Sequence, residues 1–182
     1  MTVGILALQG CVAPHFEIFS KLGHPAIAVK NLSDLKSVER LILPGGESST
    51  MLKLMERQGL LQALIDFGRT NPIWGICAGS ILLAKEVRHP EQASLGLIDI
   101  RATRNFYGSQ LESFSETIKF LNRDISVDFI RAPLLEPLSA AVSILAKRAE
   151  QAVLLQQGKI LASSFHTELG QNLCIHEHFL AL

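Results

Sequence analysis

Hydrophobic residues fall in short runs separated by turn signals, and the runs switch between strand and helix periods. Val3 to Leu8 is an unbroken apolar run ending at Gln9-Gly10, as expected of a strand buried on both faces. Pro14 to Leu22 follows with Phe16, Phe19 and Leu22 at helical spacing. Ala26 to Lys30 and Arg40 to Leu43 read as strands, the latter stopping at Pro44-Gly45-Gly46. Met51 to Met55 and Leu60 to Phe67 look helical. Ile73 to Ile76 is another buried strand, and Ala78 to Lys85 a helix directly after it.

Strands alternating with helices indicate a parallel sheet, because a parallel neighbour is reached only through a crossover. The fold expected is α/β, a doubly wound, mostly parallel sheet flanked by helices in a flavodoxin-like three-layer sandwich. The second half changes character. Val127 to Ile130, Ala140 to Ala146, Ala152 to Gln156 and Ile160 to Ser164 read as strands, the last two joined by a hairpin near Gln157-Gly158, and Cys174 to Leu180 reads as a closing helix. There is no repeat, linker or low-complexity tract, so residues 1–182 are expected to form a single domain.

Composition supports a sizeable core: 182 residues are 48% hydrophobic and 19% charged. Seventeen basic residues balance seventeen acidic ones, which disfavours a nucleic-acid partner. No apolar run is long enough to span a membrane, and the first residues lack a basic leader, so a cytoplasmic location is expected. Three widely spaced cysteines, Cys11, Cys77 and Cys174, fit reduced thiols rather than a disulfide framework.

The sharpest chemical signal is Gly75-Ile76-Cys77-Ala78-Gly79, a strand ending in a nucleophile-type residue with glycine at both second neighbours and a helix beyond. That is the form of a nucleophile elbow, in which a tight turn pushes the side chain into the open. A thiol at a helix N-terminus also meets the positive end of the helix dipole, which favours the thiolate. The competing reading is a buried cysteine that only fills a strand-helix turn. A thiol nucleophile needs a base, and Phe165-His166-Thr167-Glu168 places a histidine two residues before a carboxylate, on the same side of an extended chain. Glu168 can then fix the imidazole tautomer and leave the other nitrogen for Cys77.

Pro44-Gly45-Gly46-Glu47-Ser48 follows a strand, where loops of a parallel sheet gather ligands; its backbone N–H groups could face an anion, or it could be an ordinary turn before a capped helix. It lacks the Gly-Lys-Ser/Thr of a phosphate loop. Arg104 and Arg131 stand beside apolar residues at strand ends, where a guanidinium suits carboxylate recognition. Cys174, His176 and His178 fall at spacings that do not share one helix face, so no metal site is expected.

Taken together, Ala7-Leu8-Gln9-Gly10, Pro44-Gly45-Gly46-Glu47-Ser48, Gly75-Ile76-Cys77-Ala78-Gly79, Arg104-Asn105, Phe129-Ile130-Arg131-Ala132-Pro133 and Ser164-Phe165-His166-Thr167-Glu168-Leu169 resemble the glutaminase subunits of pyridoxal 5'-phosphate synthase, within the class I (triad) glutamine amidotransferases. The matching blocks run in order from residue 5 to residue 169. The resemblance implies hydrolysis of L-glutamine to glutamate and ammonia, with Cys77 as nucleophile, His166 as base and then acid, and Glu168 orienting the imidazole. It implies that Gly46, Glu47, Ser48, Arg104, Ile130 and Arg131 hold the glutamine, with Arg104 or Arg131 facing a charged end of it, and that Gln9 and Gly10 help complete an oxyanion site. It implies no metal or organic cofactor, and a separate synthase subunit that receives the ammonia.

The chain departs from the family pattern at four places: Thr167 replaces the usual proline between His and Glu, Ser80 and Ser109 replace an expected Leu and Arg, and Cys11 replaces a small residue. Pro14 sits at the start of the first helix, a position that tolerates it. Three other readings stay open beside this one: a glutaminase serving another synthase, a Cys-dependent peptidase on a related sheet, and a non-catalytic binding subunit that keeps the elbow as structure.

Overall fold

In the computed structural model, which describes residues 1–106 and 113–182, seven strands form the central sheet. In chain order the elements are β1 (Val3–Leu6), α1 (Ala13–Lys21), β2 (Ala26–Val29), α2 (Leu32–Lys36), β3 (Arg40–Leu43), α3 (Ser48–Arg57), α4 (Leu61–Thr70), β4 (Ile73–Ile76), α5 (Ala78–Leu83) and β5 (Ala84–Arg88). They continue with β6 (Ile98–Thr103), β7 (Phe114–Phe120), β8 (Arg123–Phe129), β9 (Leu134–Pro137), β10 (Ser143–Arg148), β11 (Gln151–Gln157), β12 (Ile160–Ser163) and α6 (Cys174–Leu180).

The sheet order is β10-β11-β12-β4-β3-β1-β2. The five strands from β12 to β2 are parallel, and β11 and β10 close the edge as antiparallel neighbours. Alternate side chains of each strand enter two cores, one on each face of the sheet. Leu41 and Leu43 of β3 join Met51, Met55 and Leu64 from α3 and α4, whereas Ile42 between them joins Phe19 of α1 and Phe179 of α6. The sheet is therefore the middle of three layers, as expected, and β4 lies inside it with all four residues buried.

The second face also carries an unforeseen element. Val127 to Ile130 does not enter the central sheet: residues 123–129 pair with 114–120 as the separate hairpin β7–β8, whose Ile118, Phe120, Ile125 and Val127 fill the core with α6. A small sheet β5-β6-β9 flanks the other face, and it shortens the helix expected over Ala78 to Lys85, because Ala84 turns extended (ψ 150°) to pair with Ile98. The strand expected over Ala140 to Ala146 starts three residues late, at Ser143, after a turn. The helix α2, capped by the Asn31 side chain on the N–H of Asp34, had no periodic signal in its five residues. The hairpin at Gln157-Gly158 and the helix Cys174–Leu180 stand where the pattern put them.

Candidate active site

The elbow is a physical turn. Cys77 leaves β4 with φ 50° and ψ −103°, a strained left-handed conformation, and α5 begins at the next residue. Its N–H donates to the carbonyl of Ser163 on β12 (2.8 Å), and its own carbonyl accepts from the Ser80 hydroxyl (2.7 Å). The serine at position 80 is thus bound into the turn. Both flanking glycines are sterically required: a Cβ on Gly75 would stand 2.5 Å from the Gly79 carbonyl, and one on Gly79 would overlap the carbonyl of Leu43.

His166 follows β12 and is fixed from two directions. Its backbone makes an antiparallel bridge to Asp128, giving and receiving hydrogen bonds of 2.7 and 2.9 Å. Its ring is packed so closely on Gly45 that a Cβ there would collide with Cε1. Nδ1 of His166 meets Oε1 of Glu168 at 2.6 Å, with both side chains almost fully buried. Burial works against the imidazolium, but hydrogen bonds with Cys77 and Glu168 outweigh it and raise the His166 pKa to about 10. Burial pushes Glu168 the opposite way, and His166 beside it holds that carboxyl below the ordinary carboxylate range. The thiol of Cys77 also lies 3.7 Å from the carbonyl oxygen of Ile130, which the hairpin β7–β8 delivers just before a left-handed turn at Arg131 (φ 47°).

A cavity of about 220 Å³ opens over the thiol. Cys77, His166, Gly46, Glu47, Ser48, Arg104, Ile130 and Arg131 all line it, so eight positions proposed from five separate sequence blocks converge. Glu47 is less free than expected. Its carboxylate caps α3 through the N–H of Thr50 (2.9 Å), accepts the Ser49 hydroxyl, and pairs with Arg104 (2.8 Å). Burial pushes the Glu47 pKa up, but these hydrogen bonds outweigh it and hold it low. Arg131 is exposed and has no ion-pair partner among the described residues. Gln9 and Gly10 stand behind the cavity rather than lining it: Gln9 Oε1 accepts the N–H of Glu47 (2.9 Å), and Gly10 (φ 108°) packs against Gly45.

The chain matches the SNO glutamine amidotransferase family over residues 5–181. It belongs to that family. The pyridoxal 5'-phosphate synthase subunits PdxT of Brevibacillus brevis and Kosmotoga olearia are 40% and 42% identical to it, each alignment covering 99% of this chain and 96% of the relative. A crystal structure of a glutamine amidotransferase superposes with a TM-score of 0.93 at 39% identity, covering 98% of this chain and 97% of the other. The three-layer sheet is thus the class I glutamine amidotransferase fold.

Several residues that line the cavity were not among the candidate site residues. Ala78, Ile81 and Leu169 also line the cavity, as does Cys11, whose thiol reaches Glu168; burial and the nearby carboxylate raise that thiol to about 11. Cys11, marked in the sequence as a departure from the family pattern beside Gln9-Gly10, donates its N–H to Gly45 O (2.8 Å) across the loop pair. Asp128 gave no signal, because its contribution is a backbone bridge. Ser109 lies outside the described residues. Cys174, His176 and His178 point apart: Cys174 accepts from Arg123, His176 is buried, and His178 bonds Gln156. Among the described residues no helix is long and apolar enough to cross a membrane.

Proposed function

We propose that Cys77, His166 and Glu168 are the catalytic triad of a single glutaminase domain spanning residues 1–182. What carries the reading is convergence: an elbow thiol and a carboxylate-bound imidazole share one cavity with Gly46, Glu47, Ser48, Arg104, Ile130 and Arg131, the residues proposed to hold glutamine. The chain is the glutamine-hydrolysing subunit of a pyridoxal 5'-phosphate synthase, and its partners are L-glutamine and a separate synthase subunit.

The Cys77 thiolate attacks the side-chain amide carbon of glutamine, forming a C–S bond. Backbone N–H groups stabilise the oxyanion, with Gly46 and Ala78 lining the cavity beside the thiol. His166 protonates the departing ammonia, then takes a proton from the water that breaks the thioester and releases glutamate. Glu168 keeps the ring in one tautomer throughout. Every group these steps use is an amino-acid side chain or backbone amide. Free ammonia would be protonated and lost in bulk water, which is why transfer to a bound synthase subunit suits the product. A cytoplasmic location fits three thiols that stand unpaired.

The test is glutamate release from L-glutamine by the purified chain, alone and with its synthase subunit, beside a Cys77→Ala control. Release that rises with the partner and vanishes in the control is expected. A wild-type chain that binds the partner yet releases no glutamate would leave a non-catalytic subunit.

A further inference from the structure

Close to the triad, five buried polar atoms have no hydrogen-bond partner among the described residues: Oγ1 of Thr167 and both ring nitrogens of His15 and His176. Both histidines are fully buried, in the layer between α1, α6 and the sheet. His176 stands edge-on to Trp74 at 4.8 Å and Phe19 at 5.7 Å between ring centroids, and 6.0 Å from His15. Both lie within electrostatic reach of Glu168.

A neutral imidazole always carries one N–H donor and one lone pair, and folded proteins rarely leave such groups unmet in the interior. At the observed centroid separation the two rings bring their nitrogens no closer than roughly 3.8 Å, beyond direct hydrogen-bonding range. A single water spans about 4.5–5.6 Å between two partners, and buried water recurs where several polar groups face one another in this way. Both rings feel the charge of Glu168, whose chain neighbour Thr167 carries the fifth unpartnered atom. The Glu168 side chain is fully buried, Oε1 is on His166 and Oε2 on the Thr167 N–H, and a carboxylate has about four acceptor positions.

We propose that His15 and His176 continue the triad inward, holding internal water against the Glu168 carboxylate, with neutral His15 as a positioning residue for Glu168. The proposal rests on the triad assignment above. In it, the water donates to Glu168 and accepts from a ring N–H, so the carboxylate stays ionised and correctly turned toward His166. The titratable groups coupled to Glu168 are His166, His15, His176 and Cys11.

The experiment compares wild type, His15→Phe, His15→Asn and His176→Phe, each in complex with the synthase subunit, together with a high-resolution crystal structure of the wild-type chain. His15→Phe is expected to lower kcat by about tenfold with KM within about twofold, as loss of a hydrogen bond to a charged group predicts. The acid limb of its kcat–pH profile moves to higher pH, because Glu168 has lost a donor, and His15→Asn recovers part of both. The crystal structure shows water within hydrogen-bonding distance of His15 and Glu168. Should His15→Phe fail to fold, His176→Phe, whose ring keeps the contacts with Trp74 and Phe19, reports the same changes more weakly. A folded His15→Phe or His176→Phe with wild-type kcat and pH profile, or a dry His15–Glu168 gap in the crystal, overturns the proposal. Failure of the triad itself shows elsewhere, as glutamine hydrolysis by Cys77→Ala or none by wild type.

Discussion

The backbone N–H of Thr167 donates to Oε2 of Glu168 at 3.0 Å, leaving Oε1 for His166. A proline at position 167 has no N–H to give. Thr167→Pro is therefore expected to lower kcat for glutamine hydrolysis by about tenfold or more, the size of one hydrogen bond to a charged group at ~1.5–3 kcal/mol. Thr167→Ala keeps the N–H and keeps turnover within about twofold. Equal rates for the two variants would show that this hydrogen bond does not orient Glu168.

Gly45 gives His166 its place by having no side chain. Gly45→Ala must displace the ring from its position in the site, and displacements of about 1 Å cost on the order of a hundredfold in rate. Steady-state kinetics should show that loss while circular dichroism stays unchanged. Retained activity would mean that the ring tolerates the shift.

Glu47 holds two structures together, the start of α3 and the Arg104 guanidinium. Glu47→Ala removes an N-cap, which costs about 1 kcal/mol of stability, and frees Arg104 from its position in the cavity proposed to hold glutamine. A lower Tm and a raised KM with a smaller change in kcat are expected from thermal scans and kinetics.

Acid should destabilise the fold through its buried histidines. Burial lowers His15 to about 4 and His176 to about 3, from an ordinary value of 6.5. The unfolded chain therefore binds more protons than the native one between pH 6.5 and 3, so stability present above pH 6.5 falls as pH drops through that window. Glu168, also held low, adds to the fall below the ordinary carboxylate range. His176→Phe should flatten the decline of Tm between pH 7 and pH 5, by on the order of 1 kcal/mol across the window. An unchanged slope would place the acid sensitivity elsewhere.

The parallel half of the fold was legible because strands buried on both faces write themselves as continuous apolar runs, as in Val3 to Leu6 and Ile73 to Ile76. The flanking strands were not. In β7, the half-buried Glu116 breaks the apolar series Phe114, Ile118 and Phe120, and its partner β8 pairs outside the main sheet. Cys77, His166 and Glu168 were visible because an elbow needs glycines at fixed offsets and an extended His-x-Glu needs only local spacing. Asp128 acts through backbone atoms and gave no local pattern, whereas Ile130 and Gln9 were named only through the family resemblance, and their contacts with the Cys77 thiol and with Glu47, 38 residues from Gln9, are not written in local spacing.

The Cys77 thiol is the group proposed to be acylated by glutamine. A glutamine-like chloroketone, followed by peptide mass spectrometry, tests this directly because Cys11 and Cys174 serve as internal competitors in the same chain. One covalent adduct is expected, on Cys77, blocked by excess L-glutamine and accompanied by loss of glutaminase activity. Inactivation with the adduct on Cys11 or Cys174, or persistent glutamine hydrolysis by the Cys77→Ala protein, would contradict it.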